Sequence, residues 1–412
     1  MREVVLINIT GRDRPGLTAR LTGVLADYDI PVLDIDQSVT HNSLALGLLV
    51  MAPEEGSNCS LFKDLLFSAH ELDLDIRFTP IKEQDYEQWV ARQGQARHIV
   101  TLLGRQITAR HIARVTEVVE KNGFNIEDIS RLSGRLSLHQ SDQHSGAAAI
   151  QLTLTGEVQD IPGMHAQFLQ IAQDMQIDVA VQEDNLYRRS RRLVCFDMDS
   201  TLIQTEVIDE LARVAGIGDQ VAAITESAMR GEIDFSESFR QRMALLAGLE
   251  ESSLQQIAEN LPITEGAERL ISTLRHFGYK VAILSGGFTY FANHLKAKLG
   301  VDYVYANQLD FENGKLTGKV KGDIIDGQMK AKLLQQLAEQ EGISTEQVIA
   351  VGDGANDLPM LSIAGLGIAF HAKPLVREQA QHSIATLGLD AILYLLGMRD
   401  RDLRSLANSQ EL

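Results

Sequence analysis

From Arg192 onward, short apolar runs alternate with stretches of helical period, and this alternation constrains the fold more than any other feature of the chain. Leu193-Val194-Cys195-Phe196, Val281-Ala282-Ile283-Leu284 and Val348-Ile349-Ala350-Val351 hold no charged residue. A strand apolar at every position is buried on both faces, which a parallel sheet covered by helices on either side provides. The expected fold class is α/β with a doubly wound parallel sheet. Chemistry in such a sheet gathers at the carboxyl ends of the strands.

Four segments fall at or near those ends. The first run enters Asp197-Met198-Asp199-Ser200-Thr201, two carboxylates one residue apart where the chain leaves its strand. One carboxylate can attack phosphorus and the other can move the proton, although a strand-end pair of this kind also serves as a cation site or loop cap. The second run ends in Ser285-Gly286-Gly287, where backbone amides and a hydroxyl can approach phosphate oxygens, or simply form a turn. The third segment is Lys330, leading a helix. The fourth, Gly352-Asp353-Gly354-Ala355-Asn356-Asp357, sets hard oxygen ligands between glycines, a donor set suited to Mg²⁺.

Taken in this order, the four segments resemble the haloacid dehalogenase superfamily, over about residues 192–395. The resemblance implies that Asp197 is the nucleophile and a Mg²⁺ ligand. It makes Asp199 the acid–base group, with its backbone carbonyl on the metal, and has Asp353 complete the metal site. Ser285, Gly286 and Lys330 are then expected to hold the phosphoryl group, with Asn356 and Asp357 nearby.

The helical insertion at about residues 204–262 is expected to form a cap that selects substrate. Glu206, Met229, Phe235 and Arg242 within it resemble the pattern of phosphoserine phosphatases, a narrower family. That resemblance implies hydrolysis of O-phospho-L-serine to L-serine and phosphate, the last step of serine biosynthesis. Glu206 would face the substrate ammonium, Arg242 its carboxylate, and Phe235 with Met229 the apolar lid. Asn313-Gly314 reads as a hairpin turn with no chemistry attached.

The first half of the chain reads as two copies of a ferredoxin-like β-α-β-β-α-β order, over residues 1–84 and 97–185, followed by the phosphatase domain at 190–412. Asp85 to Ala96 reads as a polar link, and Ser133–Ser145 as a longer loop of the second copy. Gly11-Arg12-Asp13-Arg14-Pro15-Gly16-Leu17 resembles the strand-to-helix turn of ACT domains, which implies an amino-acid effector near Gly11, Asp13 and Gly16 and a homodimer. Packing alone also explains such a turn. The second copy keeps Gly104 and Arg105 but lacks the acidic residue and the Pro-Gly pair.

A formal charge of −18 over 412 residues disfavours nucleic acid and anionic membranes as partners. Arg188, Arg189, Arg191 and Arg192 read as a solvated linker rather than a nucleic-acid patch. Two cysteines, Cys59 and Cys195, suit a reducing compartment. No apolar run approaches the ~18 residues of a membrane span, so the expected location is cytoplasmic. Competing readings keep the chemistry on another ester, or make the chain an amino-acid sensor with a vestigial phosphatase. The intact set Asp197, Asp199, Lys330 and Asp353 speaks against the sensor.

Overall fold

The computed structural model describes residues 3–52, 58–135, 146–156, 160–230 and 232–403, which divide into two compact units, 1–95 and 96–412. In the first, strands β1 (Glu3–Arg12), β2 (Val32–Thr40), β3 (Ser43–Ala52) and β4 (Leu74–Ile81) form an antiparallel sheet of order β2-β3-β1-β4. Helices Leu17–Ala26 and Asn58–Glu71 cover one face, because Leu17, Leu21 and Leu25 recur at helical spacing and meet Ile7, Ile9 and Leu48 of the sheet. The expected polar link contains a further helix, Glu83–Ala91. Glu83 and Asp85 favour its positive end, and Tyr86 packs on Trp89 with ring centroids 6.0 Å apart.

The second unit begins by repeating the same topology. Strands β5 (Arg97–Gly104), β6 (Asn125–Arg131), β7 (Ala148–Thr155) and β8 (Asp178–Glu183) take the order β6-β7-β5-β8, with helices Ala109–Lys121 and Ile161–Met175. Residues 136–145 of the long loop lie outside the described residues.

The larger sheet follows, in the order β12-β11-β10-β9-β13-β14-β15. Its strands are β9 (Leu193–Phe196), β10 (Lys280–Phe288), β11 (Tyr303–Glu312), β12 (Lys315–Lys321), β13 (Val348–Gly352), β14 (Leu366–Phe370) and β15 (His382–Ile384). All pairs are parallel except β11 with β12. The three apolar runs read in the sequence are β9 at the centre and its two neighbours, buried on both faces as expected.

Leu103, Leu132, Ala149 and Ala180 of the small sheet join the same hydrophobic core as Val194 and Phe196 of the large one. Two arginines of the basic cluster depart from the solvated linker expected of it, while Arg189 and Arg192 are exposed. Arg188 and Arg191 are 7% and 5% exposed. Arg191 donates to Gln182 Oε1 at 3.0 Å and to Gly365 O at 3.3 Å, and Arg188 donates to Gln151 Oε1 at 3.1 Å. These side chains clamp the two sheets together, which is why they sit at the junction.

Between Ile203 and Ile263, after β9, the described residues make four helices, Val207–Ala215, Gly218–Met229, Phe235–Leu245 and Glu251–Glu259, and a fifth, Ala267–His276, leads into β10. The first four leave and rejoin the sheet side by side: Ile203 bridges Ile263, and Gln204 N–H donates to Pro262 O at 2.9 Å. The hairpin β11–β12 turns at Asn313 and Gly314, both with positive φ, as its sequence signals. It braces the helical insertion, since Gly248 N–H donates to Leu316 O at 2.8 Å and Glu250 bridges Lys315.

Candidate active site

Asp197, Ser285 and Asp353 stand at the carboxyl ends of β9, β10 and β13, three strands adjacent in the sheet. Adjacency follows from the strand order, and it gathers residues 156 positions apart in sequence into one site.

Asp197 is 6% exposed, and its Oδ1 accepts the backbone N–H of Met198 at 2.7 Å. Its Oδ2 lies 2.9 Å from Lys330 Nζ, which also donates to Asp357 Oδ1 at 2.7 Å. Lys330 and Asp357 are wholly buried. Burial opposes the charge on Lys330, yet Asp197 and Asp357 outweigh it and raise the ammonium above its ordinary range. Burial and the nearby Asp357 push Asp197 up, against the pull of Lys330.

Asp199 Oδ1 accepts the N–H of Val207 at 2.9 Å, at the start of the helical insertion. Burial, with Glu206 beside it, pushes the Asp199 carboxyl up to about 8. Asp353 is pushed up to about 7 by burial and by Asp357 and Glu206. Thr201, also buried, donates to Asp353 Oδ1 at 3.4 Å. Between them, Ser200 adopts φ +54, a strained region for a non-glycine residue, and its Oγ donates to Glu206 Oε1 at 2.7 Å.

At Ser285-Gly286-Gly287 the pairing of β10 with β11 slips between Leu284 and Phe288. The slip turns the chain where Ser285 Oγ accepts the N–H of Gly287 at 2.8 Å. A Cβ on Gly287 would stand 2.4 Å from Asp199 Oδ2 and 2.7 Å from Met198 Cε, so only glycine leaves room there. Gly286 O accepts from Asn307 Nδ2 at 2.8 Å, and Asn307 Oδ1 accepts the N–H of Ile325 at 2.9 Å.

From the helical insertion, Phe235 reaches to 3.2 Å of the point where a Gly286 Cβ would stand, and stacks on Phe239 with centroids 6.2 Å apart. Arg242 is half-buried and donates to Ser238 O at 3.4 Å. Burial pulls its guanidinium down, while Asp209, Glu206 and Asp199 hold it up, so the arginine shares a field with the carboxylates. Asn356 lies in the short helix 355–357 beside Gly327, its carbonyl 2.5 Å from where a Gly327 Cβ would be. Met229 ends its helix, and its side chain lies outside the described residues.

One carboxylate oxygen each from Asp197, Asp353 and Asp357 lies within 4.8 Å of the others. Lys330 pairs with two of the three acids, Asp197 and Asp357, and the excess negative charge and hard oxygen donors of the cluster fit a divalent cation. Asp357 thus joins the cluster that the sequence motif assigned to Asp197 and Asp353. Thr201 and Gly287 stand inside the motifs with no role of their own assigned from the sequence, and Asn307 has no sequence signal. Thr201 lies inside the Asp-x-Asp-x-Thr pattern and was legible, whereas Asn307 reaches Gly286 only through strand order.

In the first unit, Gly16 precedes helix Leu17–Ala26 with φ +91, and the N–H of half-buried Asp13 donates to Asn42 O at 2.8 Å. A Cβ on Gly11 would meet Leu74 Cδ2 at 2.5 Å. The three effector candidates therefore stand on one strand-to-helix turn.

The fold and the site together define a haloacid dehalogenase-like hydrolase, and residues 191–365 match that family. Residues 3–79 match the ACT domain. The chain is 40% identical over 394 residues to a phosphoserine phosphatase of Streptomyces coelicolor, spanning 96% of this chain and 92% of that protein. It is 41% identical over 399 residues to a phosphoserine phosphatase of Mycobacterium tuberculosis, spanning 96% and 93%. A probable phosphoserine phosphatase from Vibrio cholerae, solved in unliganded form, superposes with a TM-score of 0.58 at 34% identity, covering 78% of this chain and 90% of that one. The chain belongs to the phosphoserine phosphatase family. No helix among the described residues is long and apolar enough to cross a membrane.

Proposed function

We propose that the chain hydrolyses O-phospho-L-serine to L-serine and phosphate through an aspartyl-phosphate on Asp197. The carrying observation is geometric: Asp197, fixed by Lys330 at 2.9 Å, stands with Ser285 and Asp353 at the ends of three adjacent strands, and the second buried carboxyl, Asp199, lies two residues on, its Oδ1 accepting the N–H of Val207.

In the first half-reaction an Asp197 oxygen bonds to phosphorus as the bond to the serine Oγ breaks, and Asp199 gives its proton to the departing alkoxide. In the second, Asp199 takes a proton from water. The water oxygen bonds to phosphorus, the bond to Asp197 breaks, and phosphate leaves. Lys330, Ser285 and the backbone at Gly286 hold the phosphoryl oxygens, with Asn356 beside them. Mg²⁺, held by Asp197, the Asp199 carbonyl and Asp353, would supply positive charge that offsets repulsion between nucleophile and substrate. Glu206 takes the substrate ammonium, Arg242 its carboxylate, and Phe235 and Met229 close over it.

The same reading makes residues 1–84 and 97–185 two ACT-like domains and 190–412 the phosphatase, with residues 204–262 as its cap. An amino acid at Gly11, Asp13 and Gly16 would tune activity, in a cytoplasmic homodimer serving the last step of serine biosynthesis. The repeated sheet order and the ACT match over residues 3–79 support this.

Phosphate release from a panel of phosphomonoesters, with Mg²⁺ and with chelator, tests the assignment. Phosphoserine is expected to lead, Mg²⁺ to be required, and Asp197→Asn to cost roughly 10⁴-fold or more. Arg242→Ala is expected to lose at least about 2 kcal/mol, ~30-fold in kcat/KM, on phosphoserine but not on esters lacking a carboxylate. Equal loss on both would remove Arg242 from substrate selection.

A further inference from the structure

Asn307 lies on β11 and is 1% exposed. It stands opposite Phe288, just past the slip that lets β10 turn at Ser285-Gly286-Gly287. Both ends of its carboxamide are committed to backbone. Nδ2 donates to Gly286 O at 2.8 Å, and Oδ1 accepts the N–H of Ile325 at 2.9 Å. One donor beside one acceptor on a rigid fork is what a carboxamide supplies; an ionised carboxylate lacks the donor and a leucine lacks both.

The first contact fixes a peptide plane. Gly286 C=O and Gly287 N–H belong to one planar trans unit and point opposite ways. Asn307 holds the oxygen, and Ser285 Oγ accepts the N–H at 2.8 Å. A hydroxyl has two lone pairs and a single proton. With a lone pair of Ser285 committed to Gly287, its proton is left to be given elsewhere.

The second contact reaches the segment that carries the buried lysine. Ile325 stands one residue before Asp326, which caps helix Gly327–Gln340. Asp326 Oδ1 accepts the N–H of Met329 at 2.9 Å, and Asp326 O accepts the N–H of Lys330 at 2.9 Å. The two backbones already run close, since a Cβ on Gly286 would stand 3.5 Å from Ile325 O.

We infer that Asn307 is a positioning residue for phosphoryl transfer. It fixes the Gly286–Gly287 peptide so that Ser285 gives its hydroxyl proton to a phosphoryl oxygen, and it ties that loop to the segment bearing Lys330. Asn307 has this role only if Ser285 and Lys330 hold the phosphoryl group, the reading given them in the proposed reaction. Without the carboxamide the buried Gly286 oxygen lacks a donor and competes for the Ser285 proton.

Turnover of O-phospho-L-serine by the full chain with Mg²⁺, with inorganic phosphate as competitive inhibitor, tests it across the parent, Asn307→Leu, Ser285→Ala and the double variant. Each single variant is expected to lose at least about tenfold in kcat/KM. The double variant is expected within about threefold of Ser285→Ala, because Asn307 acts through that hydroxyl. Phosphate inhibition is expected to weaken at least about threefold in Asn307→Leu. An asparagine that only supports the fold would multiply the losses, to about a hundredfold or more in the double variant, and that result overturns the positioning role. Parent-like turnover or parent-like phosphate inhibition in Asn307→Leu overturns it too. Parent-like turnover in Ser285→Ala removes Ser285 from the phosphoryl group, which overturns that part of the proposed reaction and the role of Asn307 with it. If Asn307→Leu does not fold, Asn307→Ala, which takes away the same two hydrogen bonds without added bulk, decides between these outcomes.

Discussion

Lys330 lies wholly buried between Asp197 and Asp357, at 2.9 and 2.7 Å, and its burial is tolerable only because both contacts are charged. Removing one partner of such a set leaves uncompensated charge. Lys330→Met is expected to lower the unfolding free energy by roughly 3–5 kcal/mol in chelator, read by urea denaturation. A change below about 1 kcal/mol would mean the acids are neutral without it. Gly287→Ala is a second residue-scale test, because its Cβ would stand 2.4 Å from Asp199 Oδ2. The variant is expected to fold with a loss of about 1–3 kcal/mol and to lose turnover sharply as Asp199 is displaced. Parent-like turnover would show that Asp199 has room to move. At this scale Asp197, Ser285 and Asp353 were pointed to by strand-end pattern, and Lys330 only by the resemblance of the four segments taken together. Asn307 and Asp178 were not, because what they touch lies 21 and more than 200 positions away.

The elements most legible in the sequence were those buried on both faces, β9, β10 and β13, whose composition alone announces their place. Helix Glu83–Ala91 was read as a link because it buries no side chain fully, leaving no apolar stripe to find. Arg188 and Arg191 were misread for the opposite reason: a charged run looks solvated until packing supplies Gln151, Gln182 and Gly365 as partners. Strand β15 carries a buried histidine, His382, held down to about 3 by burial, with His165 and Arg191 adding to it. Its folded value lies below the unfolded value of about 6.5, so the unfolded chain binds the extra proton between those limits. Stability is therefore full above about pH 6.5 and falls as the pH drops below it, by up to about 1.4 kcal/mol per unit. Urea midpoints from pH 7 to 5 check this, and His382→Asn is expected to flatten the slope. An unchanged slope would place the acid sensitivity elsewhere.

For the whole molecule, the contact pattern separates residues 1–95 from 96–412 and leaves the second β-α-β-β-α-β sheet with the phosphatase. Arg105 holds Glu265 at 2.8 and 2.6 Å, Gln182 Nε2 donates to Leu395 O at 3.0 Å, and one hydrophobic core runs through both sheets. The repeat was legible, but its fusion to the phosphatase was not, since no local pattern reports which apolar faces meet. A chain of residues 96–412 is expected to unfold at a clearly higher urea concentration than one of residues 190–412. Coincident midpoints would show that the shared core contributes nothing to the phosphatase.

The claim at the centre of this account is that phosphate passes through Asp197. Rapid acid quenching during turnover of phosphate-labelled O-phospho-L-serine, followed by peptide mapping, tests it most directly. The account predicts acid-stable, base-labile label on the peptide carrying Asp197, absent from Asp197→Asn. Steady turnover with no label on any peptide, or label on a residue other than Asp197, would contradict it.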